Sequence, residues 1–171
     1  MNSLIKRIEL VANLAIIMVA ILLGVVLVRS YRFRHSSEAP TTATSALIPG
    51  TKLSLPGVNW KANGRTLVMA LSTECHFCTE SAAFYRRVAQ ERANMENLRL
   101  LAVLPQPVTE GQEYLKKLGM TLDDIKQIQL DSIGINGTPT LILADSQGNV
   151  ADSWRGKLPI EKESEVLSRL K

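Results

Sequence analysis

The chain has 171 residues, of which 46% are apolar and 21% are charged, as in an ordinary folded protein. Residues 1–50 account for +3 of the net charge of +4, with five basic side chains against two acidic ones. The larger part of the chain is therefore nearly neutral, which argues against a nucleic-acid-binding surface. Two cysteines and two histidines are too few for a disulfide scaffold or an ordinary four-ligand zinc site, and no metal site is predicted.

Residues 10–28, LVANLAIIMVAILLGVVLV, form an apolar segment without a charged side chain. A helix of this length spans about 28 Å at ~1.5 Å per residue, close to the hydrocarbon thickness of a bilayer. The segment is longer than the apolar part of a signal peptide, and Arg29 and Arg32 follow it where a cleavage site would need small residues. We expect an uncleaved transmembrane helix behind a short flank, residues 1–9. Charge is nearly balanced on its two sides, so charge alone does not set the orientation.

Residues 29–50 are predicted to form a flexible tether. Their second half, HSSEAPTTATSALIPG, is rich in Ser, Thr, Ala and Pro and has no helical or strand periodicity. The remaining residues, 51–171, are predicted to fold as one domain.

Apolar runs alternate with helical patterns along this domain. Predicted strands cover residues 52–55, 66–71, 98–104, 140–144 and 149–154, and predicted helices cover residues 77–92, 109–118, 121–127 and 160–170. A βαβ unit followed by a ββα unit indicates an α/β fold, with a mixed central sheet and helices on both faces.

Cys75-His76-Phe77-Cys78 lies between the predicted strand at residues 66–71 and the helix that follows it. Unpaired N–H groups and the dipole at a helix N-terminus stabilise a thiolate there. The spacing places the second thiol one turn later on the same face. We therefore predict Cys75 as the exposed nucleophile and Cys78 as the more buried resolving thiol. The alternative is a pair of inert core cysteines.

Charged neighbours of Cys75 act in opposite directions. His76, when protonated, favours the thiolate, whereas Glu74 disfavours it. His76 could equally be a solvated side chain with little influence, because exposed charges are screened. The redox potential of the pair therefore does not follow from these residues.

A second motif, Gly137-Thr138-Pro139-Thr140, immediately precedes a predicted strand. A cis peptide bond is inexpensive only before proline. A cis bond at Pro139 would turn the backbone of Thr138 towards the cysteines, where it could pair with an extended substrate chain. The alternative is an ordinary trans proline at the start of a strand.

Together, the two motifs resemble the thioredoxin superfamily, in particular its TlpA-like, membrane-anchored thiol–disulfide oxidoreductases of the redoxin branch. The resemblance covers residues 50–170. It implies a redox centre at Cys75 and Cys78 and a cis-proline loop at Thr138 and Pro139. It also implies a domain on the outer side of the membrane that exchanges with protein thiols and disulfides and with a redox donor or acceptor. No cofactor is implied beyond the redox-active disulfide.

The sequence departs from the pattern of this family at several positions. Glu74 stands where Trp is common, and Met69 stands where an Asp or Asn often lies six residues before the first cysteine. The buried acid that assists proton transfer to the second thiol is then missing from its usual place, and Glu110 is a candidate replacement as proton relay. His76 and Phe77 also replace the more common Gly-Pro or Glu-Pro pair.

Two other functions compete with thiol–disulfide exchange. A peroxiredoxin-like peroxidase would favour a Pro-x-x-x-Thr-x-x-Cys site, whereas Thr73 here precedes Cys75 by two residues and no proline lies at the required spacing. A non-catalytic, membrane-tethered module could instead hold peptides with the loop at Thr138 and Pro139.

Overall fold

The computed structural model describes Met18, residues 47–95 and residues 97–171. The predicted transmembrane helix over residues 10–28, except for Met18, and the tether up to residue 46 lie outside the described residues and stay predictions. Within the described residues, no helix has both the length and the apolar character needed to cross a bilayer.

One mixed sheet lies at the centre of residues 47–95 and 97–171. Its five strands are ordered β3-β2-β1-β4-β5; β1–β2 and β2–β3 pair in parallel, and β4 pairs antiparallel with β1 and β5. Ala70 at the end of β1 pairs with Val103 near the end of β2 and with Thr140 at the start of β4. The loops after β1 and β2 and the loop before β4 therefore meet at one edge of the sheet. The strands are β1 (Arg65–Ala70), β2 (Leu98–Leu104), β3 (Asp124–Gln127), β4 (Thr140–Ala144) and β5 (Val150–Arg155).

The apolar runs predicted as strands are buried on both faces of this sheet. In β1, Leu67 and Met69 join one core cluster, whereas Val68 and Ala70 join the other. Continuous apolar runs, without the alternation of a half-exposed strand, are expected for strands that are covered on both sides.

Helices precede, connect or follow these strands. The longer ones, α3, α4 and α5, bury Val88, Leu115 and Val166 in the same core cluster as Met69. Because β1, β2 and β3 follow one another in one direction across the sheet, right-handed crossovers place α3 and α4 on the same face. The helices are α1 (Trp60–Asn63), α2 (His76–Glu80), α3 (Ala82–Arg92), α4 (Val108–Lys117) and α5 (Ile160–Leu170), with a 3₁₀ turn at Leu130–Ile133.

The other face of the sheet also carries helical elements, as predicted, but they are short. Its core cluster draws on residues between 47 and 60, on the 3₁₀ turn and on Ile135. Among the described residues, the helical elements of this cluster are α1 and the 3₁₀ turn. The strand predicted over residues 52–55 is reduced to a single bridge between Lys52 and Asn149.

Two further predictions of secondary structure differ from the structure. The helix predicted over residues 77–92 is interrupted at Ser81, whose hydroxyl donates to the carbonyl oxygen of Phe77 at 2.8 Å. Serine bonds of this kind compete with regular helix geometry. The helical turn predicted over residues 121–127 is wrong: this segment forms the edge strand β3, and Asp123 exchanges hydrogen bonds with the backbone of Leu100. Pairing with β2 overrides the local capping signal.

Candidate functional site

Cys75 caps the N-terminus of α2 directly after the loop that follows β1. Its backbone is extended, and its sulfur accepts a hydrogen bond of 3.1 Å from the backbone N–H of Cys78. A sulfur in the capping position takes the place of the oxygen of a Ser or Asp cap. The N–H donor stabilises negative charge on this sulfur. The structure thus places Cys75 at a helix start, where the sequence predicted it.

The two thiols differ in their access to solvent. Cys75 is half-buried and Cys78 is fully buried, and both are free cysteines. Burial, followed by the hydrogen bond with Cys75, raises the pKa of Cys78 to about 12. Hydrogen bonds from the backbone of Ser72 and from the side chain of Thr138 act in the opposite direction. Near neutral pH, Cys78 is therefore a protonated thiol behind the sulfur that solvent can reach.

The loop before β4 contributes the next element of the site. The peptide bond between Thr138 and Pro139 is cis. The side chain of Thr138 acts to lower the pKa of Cys78. The carbonyl oxygen of Pro139 accepts a bond of 2.7 Å from the N–H of Gly156. The pairing of β1 with β4 brings these two residues beside the cysteines, although they lie about 60 positions further along the chain.

His76 lies at the solvent side of the site. Its side chain is 79% exposed, and its Nε2 lies 3.2 Å from Oε1 of Glu80. Glu80 also accepts a bond of 3.1 Å from Lys157, and this bond is the main reason why the pKa of Glu80 lies below its usual value. The imidazole therefore faces a carboxylate one turn further along α2.

Two exposed side chains lie close to Cys75 in the chain: Glu74 precedes it and Phe77 follows two positions later. Phe77 is 54% exposed, which is unusual for a large apolar side chain, and its ring tilts against that of His76 at 5.9 Å between centroids. An apolar side chain next to a reachable sulfur is suited to contact with an approaching polypeptide.

Glu110, the candidate proton relay, lies in the first turn of α4. Its Oε1 accepts a bond of 2.7 Å from the hydroxyl of Thr73, and its side chain is exposed. Met69 is fully buried in the same cluster as Cys78. The carboxylate of Glu110 therefore contacts the loop before Cys75, and its role in proton transfer stays a prediction.

The structure adds residues that the sequence motifs did not single out. Gln106, in the loop after β2, bonds through its amide to Ser72 and Thr73. The sequence did contain a signal for Gln106, since it lies directly after a predicted strand, as the cysteine motif does. The carboxyl ends of parallel strands meet at one end of the sheet, so residues that follow them lie close together. Two tyrosines also flank the thiols: burial first, and then the charges of the cysteines, raise the pKa of Tyr114 and of Tyr85.

The chemistry available to this site is that of thiols. Within the described residues, no group of three or more His, Cys, Asp or Glu side chains is arranged to hold a metal ion. The more accessible sulfur can form a mixed disulfide with a partner. The buried thiol one helical turn away can then displace the partner and close the internal disulfide.

Comparisons with known proteins identify the fold. No family model matches the sequence. No curated protein matches it either. A protein assigned as thiol:disulfide interchange protein DsbE from Chlorobium tepidum has a similar structure, with 20% identity over 73% of this chain and 99% of that one and a TM-score of 0.57.

Two further solved structures have the same architecture. A thiol:disulfide interchange protein from Bacteroides sp. is 15% identical over 73% of this chain and 91% of its own, with a TM-score of 0.55. The thioredoxin domain of a thiol-disulfide oxidoreductase from Bacteroides vulgatus is 15% identical over 77% and 98%, with a TM-score of 0.52. The part of the chain that the structure describes from residue 47 onwards therefore has the thioredoxin fold that the sequence predicted.

Proposed function

We propose that this chain is a membrane-anchored thiol–disulfide oxidoreductase that exchanges disulfides with protein partners through Cys75 and Cys78. The observation that carries the proposal is the pairing of a reachable sulfur at a helix start with a buried thiol one turn later. The names of the structurally similar proteins support the same reaction class.

The first step in the reducing direction uses Cys75. Its thiolate attacks one sulfur of a partner disulfide, so that a new bond forms to Cys75 as the partner's own S–S bond breaks. The other partner sulfur leaves as a thiolate and takes up a proton. The half-buried position of Cys75, more open than that of Cys78, and the N–H donor at its sulfur suit this nucleophilic role.

The second step uses Cys78. This thiol loses its proton and attacks the sulfur of Cys75; the Cys75–Cys78 disulfide forms, and the remaining partner sulfur leaves as a thiolate. Two electrons have then passed from the dithiol to the partner. The hydrogen bond and the negative charge of Cys75 both raise the pKa of Cys78. Both influences end when Cys75 enters the mixed disulfide, so the pKa of Cys78 falls when its thiolate is needed.

The cycle then needs a second redox partner. A dithiol donor regenerates the reduced pair if the protein acts as a reductant, and an oxidising acceptor does the reverse if it acts as an oxidant. We further propose that the backbone of Thr138 pairs with an extended segment of the partner, as an added strand would.

Residues 10–28 would anchor the protein in the membrane, with the domain on the outer side. The tether over residues 29–50 has an expected root-mean-square reach of about 20–30 Å. This reach would let the site meet partners that are free or membrane-bound. Protease protection of the domain in spheroplasts, from which any outer barrier has been removed, with loss of protection only after rupture of the anchoring membrane, would argue for the opposite orientation.

Trapping a mixed disulfide tests the exchange. In full-length protein purified in detergent, Cys78→Ser should accumulate a covalent complex with insulin through Cys75, because the thiol that closes the reaction is missing. The matched variant Cys75→Ser should form none and should lose insulin reduction. Full reduction activity in Cys75→Ser would contradict the proposal.

A further inference from the structure

Ser72 hydrogen-bonds to two residues of the loop that leads into the helix of the cysteines. Its carbonyl oxygen accepts the N–H of Cys75 at 3.1 Å, and its hydroxyl oxygen accepts the N–H of Glu74 at 3.2 Å. The position of Ser72 therefore helps to fix the backbone of Cys75, whose sulfur in turn accepts the N–H of Cys78.

Gln106 holds Ser72 from a separate element, the loop between β2 and α4. Its Nε2 donates to the hydroxyl oxygen of Ser72 at 3.0 Å, and its Oε1 accepts a longer bond of 3.4 Å from the N–H of Thr73. The backbone donor at Thr73 determines which end of the amide is the oxygen. Pro105 and Pro107 flank Gln106 and restrict its backbone.

The two contacts link the site to the sheet. β1 and β2 pair in parallel up to Ala70 and Val103, so the loops that follow them begin side by side. The amide of Gln106 bridges those loops within a half-buried region. A half-buried hydrogen bond is less exposed to competition from water than a bond on the open surface.

We propose that Gln106 is a positioning residue, which hydrogen-bonds to Ser72 and thereby holds Cys75 in the position from which Cys78 can attack its sulfur. This inference rests on the proposed exchange reaction and adds to it a residue that touches neither sulfur. The affected step is the closure of the mixed disulfide by Cys78. In that step the S–S bond to the partner breaks, the Cys75–Cys78 bond forms and the partner leaves as a thiolate.

Closure can be measured with glutathione. The full-length protein in detergent is first loaded with glutathione at Cys75, and the formation of the Cys75–Cys78 disulfide is then followed by acid quenching at several pH values. Gln106→Met keeps the length of the side chain without its polar groups, and Ser72→Ala removes the hydroxyl while leaving the backbone. We expect each variant to close about tenfold more slowly, because a small misplacement of reacting atoms has a large effect on rate. We also expect the pH of half-maximal closure to rise, because the backbone of Ser72, which lowers the pKa of Cys78, is less firmly held.

Three controls separate positioning from general stability. Ser72→Thr keeps a hydroxyl and should close within about twofold of the wild-type rate, as should Gln127→Met. Gln127, at the end of β3, donates a hydrogen bond to the carbonyl oxygen of Pro105. This contact holds the same loop as Gln106 does but involves no atom of Ser72. The double variant Ser72→Ala/Gln106→Met should be slowed by less than the product of the two single effects, because both single variants remove the bond between Ser72 and Gln106.

Several results would overturn the inference. Closure at the wild-type rate in Gln106→Met would do so, as would multiplicative slowing in the double variant. A loss in rate that simply follows the free energy of unfolding in urea would indicate a structural role only. The proposed function is tested separately: a wild-type protein that fails to act on protein disulfides contradicts that function, while glutathione closure still reports on Gln106.

Discussion

The backbone N–H of Cys78 donates a hydrogen bond of 3.1 Å to the sulfur of Cys75, so one cysteine caps the helix that carries the other. The capping sulfur is partly open to solvent, whereas the sulfur one turn later is fully buried. Similar residues, three positions apart, therefore have different chemical environments. This difference in environment should give the two thiols different reactivity.

Alkylation should distinguish the two thiols. In the reduced, folded protein at pH 8, iodoacetamide should modify Cys75 at least about tenfold faster than Cys78. Cys75 is the more accessible of the two, and the N–H of Cys78 stabilises its thiolate. Mass spectrometry of the peptide that contains both residues would locate the label. The variants Cys75→Ser and Cys78→Ser provide the single-thiol rates, and equal rates in them would contradict the assignment of roles.

Alkaline pH should destabilise the reduced protein through Cys78. This thiol has a pKa of about 12 when folded, mainly because of burial, against 9.0 for the unperturbed group. The unfolded chain therefore releases this proton first. The contribution of Cys78 to stability is complete below about pH 9 and is lost as the pH rises towards 12, at no more than about 1.4 kcal/mol per pH unit.

Urea unfolding of the reduced protein between pH 8 and 11 would measure this loss. Cys78→Ala lacks the group, so its free energy of unfolding should approach that of the wild type as the pH rises. Tyr85 and Tyr114 titrate in both proteins, and because burial is the main cause that raises their pKa, most of their effect cancels in the comparison. A constant difference between the two proteins across this range would show that burial of Cys78 does not suppress its ionisation.

Removal of the Thr138 hydroxyl should slow the closing step. Thr138→Val keeps the shape of the side chain but loses the hydrogen bond that lowers the pKa of Cys78. We expect the mixed disulfide with glutathione to close about three- to tenfold more slowly at pH 7, since a smaller fraction of Cys78 is ionised. Thr138→Ser should restore most of the rate, and wild-type closure in Thr138→Val would exclude this role for the hydroxyl.

Two glycines with nearly equal φ angles should tolerate substitution by alanine very differently. Gly148 has a φ of +83°, and an added Cβ would lie 2.6 Å from Nε1 of Trp60. Gly156 has a φ of +81°, but its added Cβ would meet no described atom within 4 Å. Alanine at a positive φ costs about 1–2 kcal/mol by itself, so Gly156→Ala should lose about that amount.

Gly148→Ala should lose about 1–3 kcal/mol more, because the tightly packed indole cannot move without strain. Urea unfolding of the two variants provides the comparison. Equal losses would mean that Trp60 yields easily, and that the close packing between Trp60 and the turn before β5 adds little stability.

Local spacing predicted the main elements around the site. Continuous apolar runs indicated β1, β2 and β4, and the helical pattern after Phe77 indicated the helix that begins at the cysteines. These signals are local because burial on two faces and the helical repeat each leave a pattern within a few residues. The edge strand β3 left no such pattern, since three of its four residues are polar and it pairs with only one neighbouring strand.

The sequence by itself determined that two thiols stand one turn apart at a helix start, because helix geometry converts a spacing of three residues into a shared face. Only the tertiary structure decided that Cys78 is buried, that Thr138 influences the pKa of its thiol and that Gln106 hydrogen-bonds to Ser72. Those relationships depend on the register of β1 against β2 and β4, which joins segments far apart in the chain. Burial and long-range hydrogen bonds result from that register, and no short motif encodes it.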